Sequence, residues 1–186
     1  MKPIKLLSIL IIPYLFIPAI SNDLETIHGH TLPPEPDKVL NDSTLFGIDS
    51  NNNGVRDDVE RWIYHTYRDK HPIHVDIAMQ AARAYKKVLE MPEKAKEIHD
   101  EVSAHVDCEL YYRYCVDDVN INEKRLVAED EEIDSKYFRK KVYFNTQKRI
   151  NAFLKYDKLL SGDSYTLPWC NEQKQRCNFN TTKYEE

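Results

Sequence analysis

The chain predicts an all-α fold: a single helical domain of about five helices, with one EF-hand-type loop and a C-terminal tail stapled back by disulfides. Three observations predict it. Only four glycines interrupt 186 residues, of which 31% are charged, so long stretches of good helix formers run unbroken. Apolar residues recur at three- and four-residue spacing, and no alternating run of useful length competes with them. Residues 49 to 60 read Asp-Ser-Asn-Asn-Asn-Gly-Val-Arg-Asp-Asp-Val-Glu, a calcium-loop pattern without mismatch.

Residues 1–21 read as a secretory signal peptide. Lys2 and Lys5 form its positive start, Leu6 to Ile20 its apolar stretch, and Ala19-Ile20-Ser21 its cleavage site. The apolar run is short and broken by Pro13 and Pro18, which argues against a retained anchor. No later segment is apolar enough to span a membrane, so no membrane span is expected in the mature chain. That places the protein in a periplasm or outside the cell. The net charge of −5 becomes more negative once Lys2 and Lys5 are gone. This argues against nucleic acid and against docking on anionic lipid.

Residues 22–40 form a proline-rich arm. Thr31-Leu-Pro-Pro-Glu-Pro-Asp37 is extended or polyproline-like. Residues 41–186 form the calcium-binding helical domain. Its stretch Asn41 to Gly47 is a poor helix leading into the loop.

After the loop, Val59, Trp62, Ile63, Thr66 and Tyr67 share a helical face, and this first helix ends before Pro72. A second helix runs from about Ile73 to Glu90, with Ile77, Ala81, Ala84, Tyr85 and Val88 as its stripe. Pro92 suits the first turn of a third, lined by Ile98, Val102, Val106 and Leu110. Asp117-Asp118 marks a break. The acidic stretch from Ala128 leads to a helix around Ile133, Tyr137 and Phe138. Asn145-Thr146 caps the last helix, whose Ile150, Phe153, Leu154 and Leu160 face inward and which Gly162 stops.

Cys108, Cys115, Cys170 and Cys177 make an even set in an exported chain, which reads as two disulfides. On one helix, Cys108 and Cys115 are separated by a rise of about 10.5 Å. Bridged Cα atoms lie within about 7 Å. The two must then reach the second pair, and an antiparallel approach gives Cys108–Cys177 with Cys115–Cys170. Two local bridges are the alternative if those stretches are loops, and a four-cysteine zinc site is a third.

The loop supplies oxygen ligands in the calcium order. Asp49, Asn51 and Asn53 hold positions 1, 3 and 5, Val55 offers its carbonyl at 7, Asp57 stands at 9 and Glu60 at 12. Gly54 takes the sharp turn at 6. Two asparagines lower the negative charge, so a dissociation constant between micromolar and near-millimolar is expected. Arg56 replaces the apolar residue that normally meets a partner loop, and no second loop follows. The Ca2+ site is therefore structural rather than switching; an Asn/Gly-rich turn capping a helix without metal is the bland alternative.

The run Gly47 to Ile63, and the later run Asn145 to Gly162, resemble uncharacterised exported proteins of Gram-negative bacteria with a single EF-hand-type calcium loop. That resemblance implies a calcium site and an envelope location, and no activity.

Other chemistry is thinner. His99-Asp100, His105 and Asp107-Cys108 resemble the His-Asp helix of secreted phospholipases. The cysteine framework differs, however, and the glycine-rich calcium loop is missing. A solvated helix face accounts for these residues more simply. His65, His71 and His74 are the zinc candidates, although Pro72 spoils regular helical spacing. No nucleophile elbow or phosphate loop occurs. Tyr111, Tyr112 and Tyr114, with Trp169 on the tail, form either an aromatic binding surface or packing around the disulfides. The leading expectation is a non-enzymatic binding protein with an envelope protein as partner. The alternative is a small secreted hydrolase acting on lipid or cell wall, with His99 and His105 as bases.

Overall fold

The computed structural model describes residues 24–115 and 125–184. The expected signal peptide and the break at Asp117-Asp118 lie outside them. The described chain is mostly helical. Its long helices are α2 (Asp57–Thr66), α3 (Ile73–Glu90), α4 (Ala95–Leu110) and α5 (Gln147–Leu160), preceded by a short α1 (Lys38–Ser43) and followed by a short α6 (Cys170–Gln175). No helix among the described residues is long and apolar enough to cross a membrane.

Helix α3 is the centre of the fold. Pro72 and Pro92 bracket it, and α2, α4 and α5 pack on it. Ile73, Ile77, Ala78, Ala81, Ala82 and Val88 are fully buried. The contiguous burial from Ile77 to Ala82 marks a helix enclosed on nearly all sides. Its alanines let neighbouring helices approach closely. Each buried isoleucine contributes roughly 1.5–3 kcal/mol.

Two segments depart from regular α geometry. Helix α4 runs on into a π-helical turn, Tyr111–Cys115, and a second π-helical segment spans Phe138–Tyr143. The helix expected around Ile133 therefore begins later. Ile133 and Phe138 are buried as expected, whereas Tyr137 is exposed.

On α5, Thr146 is the N-cap and its hydroxyl accepts from the Arg149 N–H at 3.4 Å. Gly162 follows the helix at φ +88°, a left-handed conformation that suits glycine. Ile150, Phe153 and Leu160 pack on the core, but Leu154 faces solvent. The most buried side chains on α5 are Arg149 and Tyr156. Arg149 replaces a hydrophobe because it closes the end of α1. Its guanidinium donates to the carbonyls of Asn41 (2.7 Å), Thr44 (3.3 Å) and Leu45 (3.0 Å), and to Asp42 at 3.2 Å.

The arm is a docked element rather than a loose tether. Thr26–Ile27 (β1) and His30–Thr31 (β2) pair antiparallel. The connecting His28 and Gly29 both have positive φ, as a two-residue hairpin turn requires. Leu32 is fully buried. Arg61 on α2 donates to the Pro33 carbonyl at 2.9 Å and to Glu35 at 2.7 Å. The stretch read as a poor helix contains α1, which starts earlier, where Asp37 caps the Leu40 N–H at 2.9 Å.

The tail folds back as expected. Disulfides Cys108–Cys177 and Cys115–Cys170 hold it on α4 and the adjoining π-turn. Gln80 of α3 adds two bonds, donating to the Arg176 carbonyl at 2.8 Å and accepting from the Asn178 N–H at 3.1 Å.

Candidate functional site

The loop 49–60 closes at its neck, where the Asp57 N–H donates to the Ile48 carbonyl at 2.8 Å. Asp57 begins α2, and Val55 and Val59 are fully buried. The loop is thus rooted in the core. Inside it, the Asp49 carboxylate accepts from the N–H groups of Asn53 (3.1 Å) and Gly54 (3.0 Å). The Asn51 oxygen accepts from Asn53 N–H at 3.1 Å, and the Asn53 oxygen from Val55 N–H at 2.8 Å. Asp57 reaches back to the Ser50 N–H at 3.0 Å. Gly54 makes the turn at φ +87°, a region closed to most side chains.

Glu60 lies at the bottom of this arrangement, fully buried. Its carboxylate accepts from the amides of Asn53 (2.7 Å) and Asn51 (3.1 Å). Burial pushes the neighbouring Asp57 carboxyl above the usual range; the Asp49 and Glu60 charges add to this and the Ser50 N–H opposes it. The side chains of Asp49, Asn51, Asn53, Asp57 and Glu60 therefore share one loop of hard oxygen donors with crowded negative charge. That donor set suits a hard divalent cation. The asparagines, however, direct their nitrogens to Glu60 and their oxygens to backbone. Ligation through oxygen requires each amide to turn over. Among the described residues, no group of three or more His, Cys, Asp or Glu is gathered for a metal ion.

Three residues outside the motif complete the loop. His30, the first residue of β2, bonds Glu60 at 2.6 Å and stacks on Tyr64 with ring centroids 4.5 Å apart. Arg83 of α3 donates to the Asn53 carbonyl at 3.1 Å. Lys86, one helical turn on, stands 3.8 Å from the Asp49 carboxylate. The loop pattern carries no trace of them, because hairpin and helix bring them in from elsewhere in the chain.

Arg56 turns out to be a bolt. It is buried, and its guanidinium donates to the carbonyls of Val142 (3.0 Å) and Tyr143 (3.2 Å), with Asp58 against its other edge. It thereby closes the carbonyl end of the second π-helical segment. The position that would meet a partner loop is spent on a cap within the chain.

The remaining candidates are dispersed. His65 pairs with Glu25 at 3.2 Å, His74 with Glu131 at 3.1 Å, and His71 packs against Tyr184. His74 Nδ1 lies 2.9 Å from the His71 carbonyl, but among the described residues the zinc candidates form no group of three ligands.

The solvated-face reading of α4 fails for its second half, where His105, Asp107 and Glu109 are buried. His105 bonds Asp134 at 3.0 Å, and Asp134 also accepts from Tyr85 (2.5 Å) and Arg139 (3.1 Å). Glu109 accepts the N–H groups of Ile133 (2.9 Å) and Asp134 (3.1 Å), while burial raises its carboxyl above the usual range. This polar knot ties the 125–134 segment to α4, although His105 Nδ1 and Asp134 Oδ1 are buried in it with no hydrogen-bond partner among the described residues. His99 differs: it lines a cleft against the tail and bonds the Tyr156 hydroxyl at 2.9 Å. The two proposed hydrolytic bases thus occupy unrelated surroundings. Tyr111 and Tyr112 are buried beside the disulfides, Tyr114 is half exposed, and Trp169 is 81% exposed. Comparison with known proteins found no matching family model, no matching curated protein and no matching solved structure.

Proposed function

We propose that this chain is an exported, non-enzymatic helical binding protein, periplasmic or secreted, whose 49–60 loop holds a structural Ca2+. The observation that carries the metal reading is the convergence of Asp49, Asn51, Asn53, Asp57 and the buried Glu60 around a turn at Gly54. Asp49, Asp57 and Glu60 supply the charge, Asn51 and Asn53 their amide oxygens after rotation, and Val55 its carbonyl. The ion contributes electrostatic cross-linking there: it neutralises carboxylates crowded at the start of α2. It also joins the arm to the core, because His30 reaches the same Glu60.

A structural role accords with Arg56. A switching loop needs a free face with which to signal, and here that face is capped inside the fold. The export reading rests on the sequence of residues 1–21 and agrees with two disulfides, which persist in oxidising compartments. An envelope protein is the expected class of partner.

The test is thermal melting with calcium and with chelator. At tenfold to hundredfold saturation, calcium stabilises the fold by roughly 1.4–2.7 kcal/mol. Glu60→Ala removes the calcium-dependent increment whatever it does to the apo melt. Identical melts of the wild-type chain with and without calcium overturn the reading.

A further inference from the structure

The tail does more than cover α4. Between them runs a cleft of about 780 Å³, within the range of small-ligand sites, roughly 300–1,000 Å³. One wall is the α4 stripe His99, Ser103 and Asp107, with Asp100 beside it. The other is the tail from Tyr165 to Pro168, then Glu172, Gln175 and Arg176. The two disulfides fix that second wall, so the cleft is a constructed feature of the tethered tail.

Its charges are largely matched already. Arg176 donates to Asp100 at 2.9 Å and to Asp107 at 3.4 Å, and Lys96 pairs with Asp163 at 2.8 Å. A strongly charged ligand has to break one of these pairs to gain another. What the walls offer is spare hydrogen-bonding capacity: hydroxyl, amide, imidazole and the open edges of paired carboxylates and guanidinium. They also offer an aromatic face. Tyr165 packs on His99 with ring centroids 3.9 Å apart and remains 52% exposed. Trp169, next after the lining Pro168, is more exposed still.

We infer that this cleft binds a neutral, hydroxyl-rich ligand, an uncharged oligosaccharide of about two or three rings by volume. Sugar hydroxyls both donate and accept, which suits ion-paired walls. The C–H face of a pyranose packs on an aromatic ring. A peptide fits less well. Peptide sites use a free strand edge or apolar anchor pockets, whereas no strand borders this cleft and its aliphatic lining is Val106, Leu167 and Pro168 beside the Tyr165 ring. The inference rests on reading the chain as a binding protein. It is separable from the calcium claim, because the cleft and the 49–60 loop share no residue.

The test uses the full oxidised chain, titrated with maltotriose, cellotriose and triacetylchitotriose, each with calcium and with chelator. Trialanine amide serves as the peptide comparator. At least one trisaccharide is expected to bind saturably and to shift the NMR signals of the His99 and Tyr165 rings while leaving the Trp62 indole unmoved. Tyr165→Phe retains binding because the ring remains; Tyr165→Ala weakens it by about tenfold or more. The inference is overturned if no trisaccharide binds at millimolar concentration, if only the peptide binds, or if Tyr165→Ala binds as the wild type does. Loss of the calcium-dependent melt with sugar binding intact overturns the metal reading alone.

Discussion

The N-terminal segment up to Glu60 and the C-terminal tail both lie against the same helical core, but they are held by different forces. The tail is held covalently, by Cys108–Cys177 and Cys115–Cys170. The N-terminal segment has no covalent tie. It is held by guanidinium groups on backbone carbonyls: Arg61 on Pro33, Arg149 on Asn41, Thr44 and Leu45. Arg56 binds in the opposite direction, from the loop to Val142 and Tyr143. A disulfide acts largely on the unfolded chain by limiting its freedom. A buried arginine acts on the folded state, and only while every bond it makes is kept. The tail's covalent tie is therefore sensitive to reduction and indifferent to solution charge, whereas the arginine contacts of the N-terminal segment do not respond to reduction.

The largest test removes a disulfide. Cys108 and Cys177 are 69 residues apart, but with Cys115–Cys170 kept the loop they close runs through that inner bridge and spans about 15 residues, which stabilises by about 3 kcal/mol. The double serine variant is expected to lose most of this in a chemical melt, with α2 and the loop still protected from hydrogen exchange. Equal loss of protection at both ends would show that the two attachments are not independent. Next comes the arginine bolt. Arg56→Met strands the Val142 and Tyr143 carbonyls, at a cost of about 3 kcal/mol. Gly47→Ala should damage the same bolt from outside. Its Cβ would stand 2.1 Å from Arg56 Cδ, and Gly47 sits at φ +70°. A melt for either variant within about 0.5 kcal/mol of wild type would remove Arg56 from the account.

These two attachments were not equally legible in the sequence. The tail could be read because cysteine spacing is simple geometry: two residues seven apart on a helix cannot meet, so they seek the other pair. Helix α3 was equally plain, since Pro72 and Pro92 bracket an apolar stripe. Arg56, Arg61 and Arg149 could not be read this way. Periodicity counts an arginine as a solvent residue, and only tertiary packing reveals which carbonyls it satisfies. The same blindness placed Leu154 inside and His105 and Asp107 outside. The hairpin escaped because strands of two residues are too short to alternate. Within the loop, ligand order was legible from Asp49 to Glu60, whereas His30, Arg83 and Lys86 approach from distant parts of the chain.

A smaller effect is expected where the N-terminal attachment meets the proposed ion. Asn53 donates to Glu60 at 2.7 Å. Asn53→Asp exchanges that donor for a charge facing a buried carboxylate. The chelated protein should melt lower, by roughly 1–2 kcal/mol, and calcium should bind about tenfold more tightly because the loop gains a fourth charge. The gap between apo and loaded melts therefore widens. An unchanged gap would mean that position 53 does not face the ion.

The smallest expected effect probes whether the tail has any charge-dependent attachment beneath its disulfides. The Arg176 guanidinium, hydrogen-bonded to Asp100, holds that carboxyl below its usual range. A depressed folded-state pKa contributes stability above the unfolded value, about 3.9, and that stability is lost as pH falls through the folded value. Asp107 acts in the other sense. Burial raises its carboxyl despite the same Arg176, so it takes up a proton earlier in the folded state than in the unfolded chain. Acidification first relieves a buried charge at Asp107, and only later breaks the Asp100 pair. The melting temperature of the oxidised protein, relative to Asp100→Asn, should therefore hold down to about pH 4 and fall below it. Asp100 is exposed, so the difference is on the order of 1 °C. If the two proteins track each other below pH 4, the Arg176–Asp100 pair adds nothing measurable to the disulfides, and the contrast between the two ends of the chain sharpens.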